Sequence, residues 1–282
     1  MRLHITYDHP IPINAFEWTP ATNRQSPHMH SSLEVGLCLS GKGCFFFGSK
    51  RYTASPGDLF IVNNEEHHIA QSDPKDPSRY LFINFDPALL LAEEPGLLLP
   101  FSYRSTQFRN HIAGSSPLAR ELTPWIHVIA EELREKSPGY LAMAKSALLQ
   151  LCGRLLRHYN ELLSDDERQA MVQTVRHAQS LAALVERRYH EPLSLVGLAD
   201  ELGISASRLS RAFLETTGYR FSDYLALLRV QAAKRALTGT DKAVTNIAFE
   251  CGFQSLPTFY RVFKDITGVS PVTYRQSMGL GQ

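Results

Sequence analysis

The sequence predicts a two-domain α+β protein, in which a small β-barrel with a helical connector precedes an all-helical domain. Three features of the 282 residues predict this: short apolar runs between turn residues, apolar residues at helical spacing from Ser116 onward, and a repeated helical pattern in the last third. We place the first domain at 1–165, with its barrel at about 1–105 and its helices at about 116–162. The second domain is placed at 174–282, a division that suits a chain of this length.

The composition fits a folded protein with packed cores, since 44% of the residues are hydrophobic and 20% are charged. No apolar run approaches the roughly 18 residues that a membrane helix needs, and the first residues lack the pattern of a secretory signal. The four cysteines show no CxxC spacing, which argues against a disulfide framework or a zinc finger. We therefore expect a cytoplasmic protein with reduced thiols and no membrane partner.

The first third of the sequence has strand character. Its apolar runs are short and recur at short intervals, and clusters of Gly, Pro, Ser and Asp separate them as turn formers do. Many short strands with such punctuation are typical of a β-sandwich or barrel. The clearest runs are 35–39, 44–47, 58–62 and 80–85.

Two amphipathic helices follow the predicted barrel. Apolar residues recur at helical spacing over 118–133, a Pro-Gly pair interrupts the pattern, and a second pattern covers 141–156. These helices either cover the barrel or form a helix–helix dimer contact, and we favour the dimer contact. The polar segment 163–169 predicts a loop, and the domain boundary is placed there for that reason.

The last third contains an internal duplication. The motif Ala199-x3-Gly203 recurs 49 residues later as Ala248-x3-Gly252, and further matches follow at an offset of 50. Each copy has the pattern of a helix-turn-helix pair, in which a glycine supplies the left-handed turn between two helices. A small alanine in the first helix lets the second helix approach closely.

The second helix of each copy carries side chains suited to DNA. Arg208 and Arg211 follow Ser205, and arginine can pair with guanine while a helix N-terminus favours phosphate. Residues 175–282 carry 13 Lys and Arg against nine Asp and Glu, a net charge of +4, whereas residues 1–174 carry −3. One basic helix would more often be a solvated face, but two copies after a glycine turn favour DNA binding. The candidate DNA contacts are Ser205, Ala206, Ser207, Arg208, Ser210, Arg211, Gln254, Ser255, Thr258, Tyr260, Arg261 and Lys264.

These motifs resemble the AraC/XylS family of bacterial transcription regulators over nearly the whole C-terminal hundred residues. The resemblance implies a seven-helix DNA-binding unit in which a linker helix at about 221–237 joins two helix-turn-helix motifs. It implies recognition helices at about 206–217 and 256–266, which in the family enter successive major grooves on one DNA face. Leu256 and Pro257 are less polar than many members carry, so we expect weaker base reading by the second helix. The matching motifs include Pro192-Leu193-Ser194-Leu195, Gly203-Ile204-Ser205, Leu209-Ser210-Arg211-x-Phe213, Tyr224-Leu225-x3-Arg229, Cys251-Gly252-Phe253, Phe259-Tyr260-Arg261-x-Phe263-Lys264 and Gly268-x-Ser270-Pro271-x2-Tyr274-Arg275.

The first domain contains a cluster of histidines and a carboxylate. His28-x-His30-x3-Glu34 has even spacings, so on an extended strand the three side chains share one face, which in a small barrel is the lumen. A strand that follows the turn at Asp58 is expected to end at His67-His68. The pattern resembles the two motifs of the cupin fold, a small β-barrel also typical of sugar-responsive AraC-family sensors, although the glycine before the first motif is missing. The ten-residue spacing from Asp58 favours His68 over the histidine before it.

Three interpretations of His28, His30, Glu34 and His68 stay open at this point. They could ligate a divalent metal such as Zn, Ni, Mn or Fe, because imidazole and carboxylate suit these ions. They could hydrogen-bond a polyhydroxylated ligand, or they could be satisfied polar groups of the barrel. We favour the polyhydroxylated ligand, since regulators with this fold often lack the metal that related enzymes use. Further candidates for the pocket are Arg24, Trp18 and Asn84.

We therefore interpret the sequence as a cytoplasmic, homodimeric transcription regulator that binds double-stranded DNA and senses a small molecule, in our interpretation a saccharide. RNA polymerase is a further partner if the regulator is an activator. We expect no catalytic residues, no enzyme activity and no cofactor beyond the metal alternative. Two rival interpretations are a metal-dependent cupin enzyme, such as an isomerase or dioxygenase, with an appended helical domain, and a constitutive DNA binder whose barrel only dimerises.

Overall fold

The computed structural model of the chain describes residues 5–102 and 108–279. The predicted end of the barrel near residue 105, and the predicted domain limits at residues 1 and 282, lie outside these ranges. Within them, no helix is both long enough and apolar enough to span a lipid bilayer.

Backbone contacts divide the chain into two compact units. The first extends to Arg176 and includes Glu215–Gly218, and the second consists of His177–Leu214 and the residues from Tyr219 onward. The first unit contains all the described strands and the second is helical, so the predicted two-domain α+β class is confirmed.

The strands of the first unit form two antiparallel sheets. The larger sheet has the order β1-β7-β2-β5-β8 and the smaller one β4-β3-β6. Among the described strands the sheets do not close into one hydrogen-bonded barrel, so the predicted barrel has the form of two facing sheets. The strands are β1 (Ile13–Trp18), β2 (Leu33–Ser40), β3 (Gly43–Phe47), β4 (Lys50–Ala54), β5 (Leu59–Val62), β6 (His68–Ser72), β7 (Arg79–Phe85) and β8 (His111–Ile112).

Aromatic side chains pack between the two sheets. Phe45 of β3 is 4.9 Å from Phe60 of β5 and 6.2 Å from Phe82 of β7, measured between ring centroids. Phe47 lies two residues beyond Phe45 and is buried with it, as the alternation of a strand requires. Strand β2 is buried along almost its whole length because a helix covers its other face, which explains its continuous apolar sequence.

Three α-helices of the first unit follow the strand β7, and the second of them packs on the larger sheet. They are α1 (Pro87–Glu93), α2 (Pro117–Glu135) and α3 (Tyr140–Leu162), with a short 3₁₀ helix at Pro95–Phe101. Ser116 begins α2 by accepting a hydrogen bond from the amide of Ala119, and Lys136 ends it in the left-handed conformation. Helix α2 contacts β1, β7 and β2 and so covers the sheet, and α3 packs along α2.

The predicted loop at 163–169 is wrong from Asp165 onward, because α4 (Asp165–Arg188) begins there. Ser164 and Glu167 form a capping box: the Glu167 amide donates to Ser164 Oγ at 3.3 Å, and the Ser164 amide donates to the Glu167 carboxylate at 3.1 Å. The acidic residues of the first turn also favour a helix N-terminus. The polar composition that indicated a loop is therefore that of a helix start.

From Asp165 onward the described chain contains seven helices, as the family resemblance implied. The two recognition helices and the linker helix lie within two residues of their predicted limits. Gly203 and Gly252 adopt positive φ angles of 65° and 91° in the two turns, a conformation that residues with a β-carbon resist. After α4, the helices are α5 (Leu195–Glu201), α6 (Ala206–Thr217), α7 (Phe221–Gly239), α8 (Val244–Glu250), α9 (Leu256–Thr267) and α10 (Pro271–Gly279).

Candidate functional site

A cavity of about 230 Å³ lies between the two sheets of the first unit. Its walls are mostly aromatic and aliphatic, and two imidazoles and one carboxylate are its polar groups. Apolar walls with a few placed polar groups are typical of small-molecule sites. The lining residues are Phe16, Trp18, His28, Glu34, Phe45, His68, Ile69 and Phe82.

Backbone pairing brings the predicted histidines together. His28 and His68 form an antiparallel bridge in which each amide donates to the other's carbonyl, at 3.1 and 2.8 Å. The ring of His30 lies 4.9 Å from that of His68, measured between centroids. One ring nitrogen from each of the three histidines lies within 4.8 Å of the other two. The predicted convergence of His28, His30 and His68 is therefore present in the structure.

The local structure behind this convergence differs from the prediction. His28 and His30 precede β2, and a bend separates them from Glu34, so the three residues do not follow one continuous strand. His68 is the first residue of β6, so the prediction that it ends the strand after Asp58 is wrong. The cluster depends on pairing between distant segments, which the spacing along the chain does not encode.

Backbone carbonyls fix the orientation of two of the imidazoles. His30 Nδ1 lies 3.0 Å from the carbonyl oxygen of Ser32, and His68 Nδ1 lies 3.1 Å from that of Glu66. A carbonyl oxygen can only accept, so each Nδ1 carries the hydrogen. Nε2 of His68 is buried and has no hydrogen-bond partner among the described residues. This nitrogen can accept a hydrogen bond from a ligand hydroxyl or bind a metal ion.

Glu34 is the buried anion of the site. The register of β2 and β7 places it opposite Asn84, whose Nδ2 donates to Glu34 Oε1 at 2.8 Å, and the same oxygen lies 3.3 Å from His30 Nε2. Burial alone would raise the pKa of Glu34, but the charge and hydrogen bond of His30, with His68 and Asn84, lower it to about 2. The carboxylate is therefore charged at neutral pH although its residue is only 7% exposed.

The three histidines differ in charge because their surroundings differ. Burial lowers the pKa of His68 to about 4, and burial together with the neighbouring His30 lowers that of His28. Burial also acts to lower the pKa of His30, but the charge and hydrogen bond of Glu34 outweigh it and raise the pKa. The environment of the site thus favours the charged form of His30, beside the Glu34 carboxylate, and the neutral form of His28 and His68.

The remaining predicted pocket residues lie in three different places. Trp18 lines the cavity. Asn84 does not line it, but its side-chain amide donates a hydrogen bond to the Glu34 carboxylate, which does. The guanidinium of Arg24 lies 4.1 Å from the centroid of Phe46, whose side chain is on the face of β3 opposite Phe45. The structure therefore does not bring Arg24 to the cavity.

Several apolar residues that line the cavity are absent from the predicted pocket. Phe16 of β1 is paired in register with Phe82 of β7, and their rings stack at 5.8 Å. The available signal was the even spacing of Phe16 and Trp18, which places both on one face of a strand. The apolar runs that predict strands do not include β1, so the predicted pocket contains Trp18 but not Phe16.

The predicted DNA contacts of the first copy lie on the open face of α6. The opposite face is buried through Leu209, Ala212 and Phe213. Ala206 is half-buried at the start of the helix. The exposed members of the predicted set are Ser205, Ser207, Arg208, Ser210 and Arg211.

The second copy presents a comparable face on α9. Ser255 begins the helix by accepting from the Thr258 amide, and Tyr260 is half-buried against the core of this copy. Arg261 Nη1 lies 3.5 Å from Asp265 Oδ2, one helical turn further on. Both side chains are exposed, so breaking this ion pair to contact DNA costs little free energy. The exposed members of the predicted set are Gln254, Thr258, Arg261 and Lys264.

Comparison with known proteins gives two family matches and several relatives. Residues 10–166 match the family described as AraC-like ligand binding domain, and residues 198–277 match a helix-turn-helix domain family. The chain is 32% identical over 248 residues to the uncharacterized HTH-type transcriptional regulator SAR0107 of Staphylococcus aureus strain MRSA252, a match that covers 87% of this chain and 31% of that protein. It is 24% identical over 252 residues to the HTH-type transcriptional activator RhaS of Pectobacterium atrosepticum, covering 88% of this chain and 86% of that protein.

Among solved structures, a probable AraC family transcriptional regulator from Rhodopseudomonas palustris is 27% identical to the chain. That match covers 36% of this chain and 97% of the other, with a TM-score of 0.35. The chain spans about a third of the length of the Staphylococcus aureus relatives that it matches.

Proposed function

The chain belongs to the AraC family of helix-turn-helix transcription regulators, and on this premise we propose that it binds duplex DNA through α6 and α9 and senses a small molecule in the cavity between its two sheets. The observation that carries the sensor role is the buried, unpartnered Nε2 of His68 beside the charged carboxylate of Glu34. A buried polar atom without a partner costs about 1–3 kcal/mol. A ligand that supplies a donor at this point removes that cost.

The effector class that we propose is a saccharide or related polyol. Adjacent hydroxyl groups can donate to the Glu34 carboxylate and to His68 Nε2 at the same time, because each hydroxyl carries its own donor hydrogen. The aromatic walls, which include Phe16 and Trp18, offer an apolar surface to the carbon skeleton. No catalytic role is assigned to these residues.

The DNA half of the proposal rests on the exposed, basic faces of two helices that each follow a glycine turn. A helix-turn-helix places the start of its second helix in the major groove. Chromosomal DNA as the partner implies a cytoplasmic protein, and RNA polymerase would be a further partner of an activator.

We also propose that two copies associate through the connector helices. Met143 and Leu162 on α3 are 51% and 45% exposed, which leaves apolar surface on a helix that otherwise packs inward. A helix–helix contact between two chains would cover both side chains.

A thermal-shift screen against a panel of monosaccharides tests the sensor role. A ligand at about 100 times its Kd stabilises the folded state by about 2.7 kcal/mol, which for a unit of this size corresponds to a rise in Tm of about 5–10 °C. We expect at least one sugar to raise the Tm of the wild-type protein, and Glu34→Gln to remove that rise.

The matched control is Glu17→Gln, since Glu17 is an exposed carboxylate of β1, and this variant should keep the sugar response. The sensor proposal fails if no sugar changes the Tm, or if Glu34→Gln responds as the wild type does.

A divalent transition metal is a second candidate occupant, favoured by the three converging imidazoles. His28, His30 and His68 would hold it, and two of them have Nδ1 bound to a carbonyl, as metal-ligating histidines commonly do. One ring nitrogen from each of the three lies within 4.8 Å of the other two, so the three residues could hold one ion together. When bound, the ion would act as a Lewis acid toward ligand oxygens.

Elemental analysis of protein purified without added metal separates the two candidates. Direct binding of a polyol predicts substoichiometric metal and a sugar response that survives a chelator. Stoichiometric metal that His68→Ala removes, together with a sugar response lost on chelation, would replace the first candidate with the second. Turnover of a substrate by the metal-loaded protein would instead support the cupin-enzyme interpretation.

A further inference from the structure

In the second unit, polar contacts tie the first helix-turn-helix copy and the linker helix α7 to the segment that follows α4, and the second copy packs against the same segment. On the side of the first copy, Arg188 donates to the carboxylate of Glu201 at the end of α5, at 2.8 Å. Arg188 also donates to the Glu191 carboxylate at 2.9 Å. The segment Tyr189–Glu191 is thereby connected to the first copy.

Arg229 of the linker helix α7 holds the same segment from the other side. Its Nε donates to the carbonyl of Tyr189 and its Nη2 to the carbonyl of Glu191, both at 2.7 Å. The guanidinium is half-buried and burial lowers its pKa. Two short hydrogen bonds from one planar guanidinium fix both the distance and the orientation of the segment Tyr189–Glu191 relative to α7. A single flexible ammonium group cannot fix both.

The turn of the second copy packs directly against this junction. A β-carbon at Gly252 would lie 2.7 Å from the Tyr189 carbonyl oxygen and 2.9 Å from Arg229 Nε. The Arg229 guanidinium carbon is also 5.9 Å from the centroid of Phe253, the next residue of the turn. The position of the second turn therefore depends on the segment that Arg229 holds.

We propose that Arg229 is a positioning residue that fixes the second helix-turn-helix relative to the first. It thereby determines which spacing the protein accepts between its two DNA boxes, the short base sequences contacted by α6 and by α9. This inference rests on the proposed DNA binding. Arg229 lies on α7 and on neither recognition helix. Its loss should therefore change the accepted spacing between the boxes, while α6 and α9 still determine the base preference within each box. Without this side chain, the Tyr189 carbonyl loses the Arg229 donor, the Glu191 carbonyl keeps only the amide of Leu193, and the second turn loses a contact that fixes its position.

The test is a selection by the full-length protein from a duplex library randomised over several helical turns, so that the protein itself defines its operator. The wild type should enrich two boxes at one fixed spacing of about 10 base pairs. Arg229→Met should enrich the same boxes at several spacings. We measure the ratio of enrichment at the native spacing to enrichment at spacings one base pair longer or shorter. In Arg229→Met this ratio should fall by about 2- to 30-fold relative to the wild type.

Two further variants make the result interpretable. Arg235→Met removes an exposed arginine from the same helix and should keep the wild-type spacing. Arg229→Lys keeps the charge and a donor nitrogen but loses the planar fork, so it should recover part of the spacing preference. It serves as the test variant if Arg229→Met does not fold.

The outcomes separate the inference from the function on which it rests. If the wild type enriches no sequence, the proposed DNA binding fails. If the wild type selects one spacing and both Arg229 variants select it equally sharply, the inference is overturned. It is also overturned if the folded variants lose the box sequences themselves, because Arg229 would then support base reading directly.

Discussion

Replacing Arg208 and Arg211 together by alanine is expected to weaken binding to a specific duplex by about 2–6 kcal/mol, since each bidentate arginine–guanine pair contributes about 1–3 kcal/mol. Both side chains are exposed on α6, whose opposite face is buried, so their removal should leave the fold intact. Titration of a labelled duplex, selected with the wild type, measures the loss. An arginine that contacts phosphate would show a uniform loss on all sequences and a salt dependence reduced by about one unit of slope.

The control for this double variant removes the same charge elsewhere. Arg120 and Arg134 are exposed on α2 in the first unit, and their joint replacement by alanine lowers the net charge equally. The control should bind almost as the wild type does. An equal loss in both double variants would mean that overall charge, and not α6, governs DNA affinity.

Scrambling one of the two boxes is the second large expected effect. Each mismatched base pair costs about 1–3 kcal/mol, so three changes in one box should cost about 3–9 kcal/mol, up to the limit set by non-specific binding. We expect a smaller loss for the box read by α9, because its first turn begins with the apolar Leu256 and Pro257. Competition titrations with duplexes altered in one box or the other measure both losses.

An affinity that is insensitive to one box would contradict simultaneous binding by both copies. Equal losses for the two boxes would leave simultaneous binding intact but would contradict the expected weakness of α9.

The helical half could be predicted closely because its signals are local. Ser194 and Ser255 each begin a helix by accepting a hydrogen bond from an amide three residues later. Gly203 and Gly252 end the preceding helices in a conformation that favours glycine. Such signals depend only on nearby residues, so they can be recognised in the sequence alone. The capping box of Ser164 and Glu167 is equally local, but the polar composition of the same segment predicts a loop.

The sensor half was harder to predict because its structure depends on distant pairings. Residues 28, 30, 34 and 68 were selected by their spacing, yet the bridge between His28 and His68 and the register of Glu34 with Asn84 bring them together. Strands β1, β4, β6 and β8 were not singled out, and all four are at sheet edges, where the apolar pattern is weaker. The placement of Arg24 on Phe46 follows from the fold of β3 and has no signal in the local sequence.

The most direct test of two-groove binding is a hydroxyl-radical footprint of the wild-type protein on its selected duplex. Binding by α6 and α9 together predicts two protected stretches on one face of the DNA, separated by about one helical turn of 10–10.5 base pairs. Loss of the basic side chains of α9, through Arg261→Ala and Lys264→Ala, should weaken one stretch more than the other. A single protected stretch no longer than one turn would show that only one copy contacts the duplex.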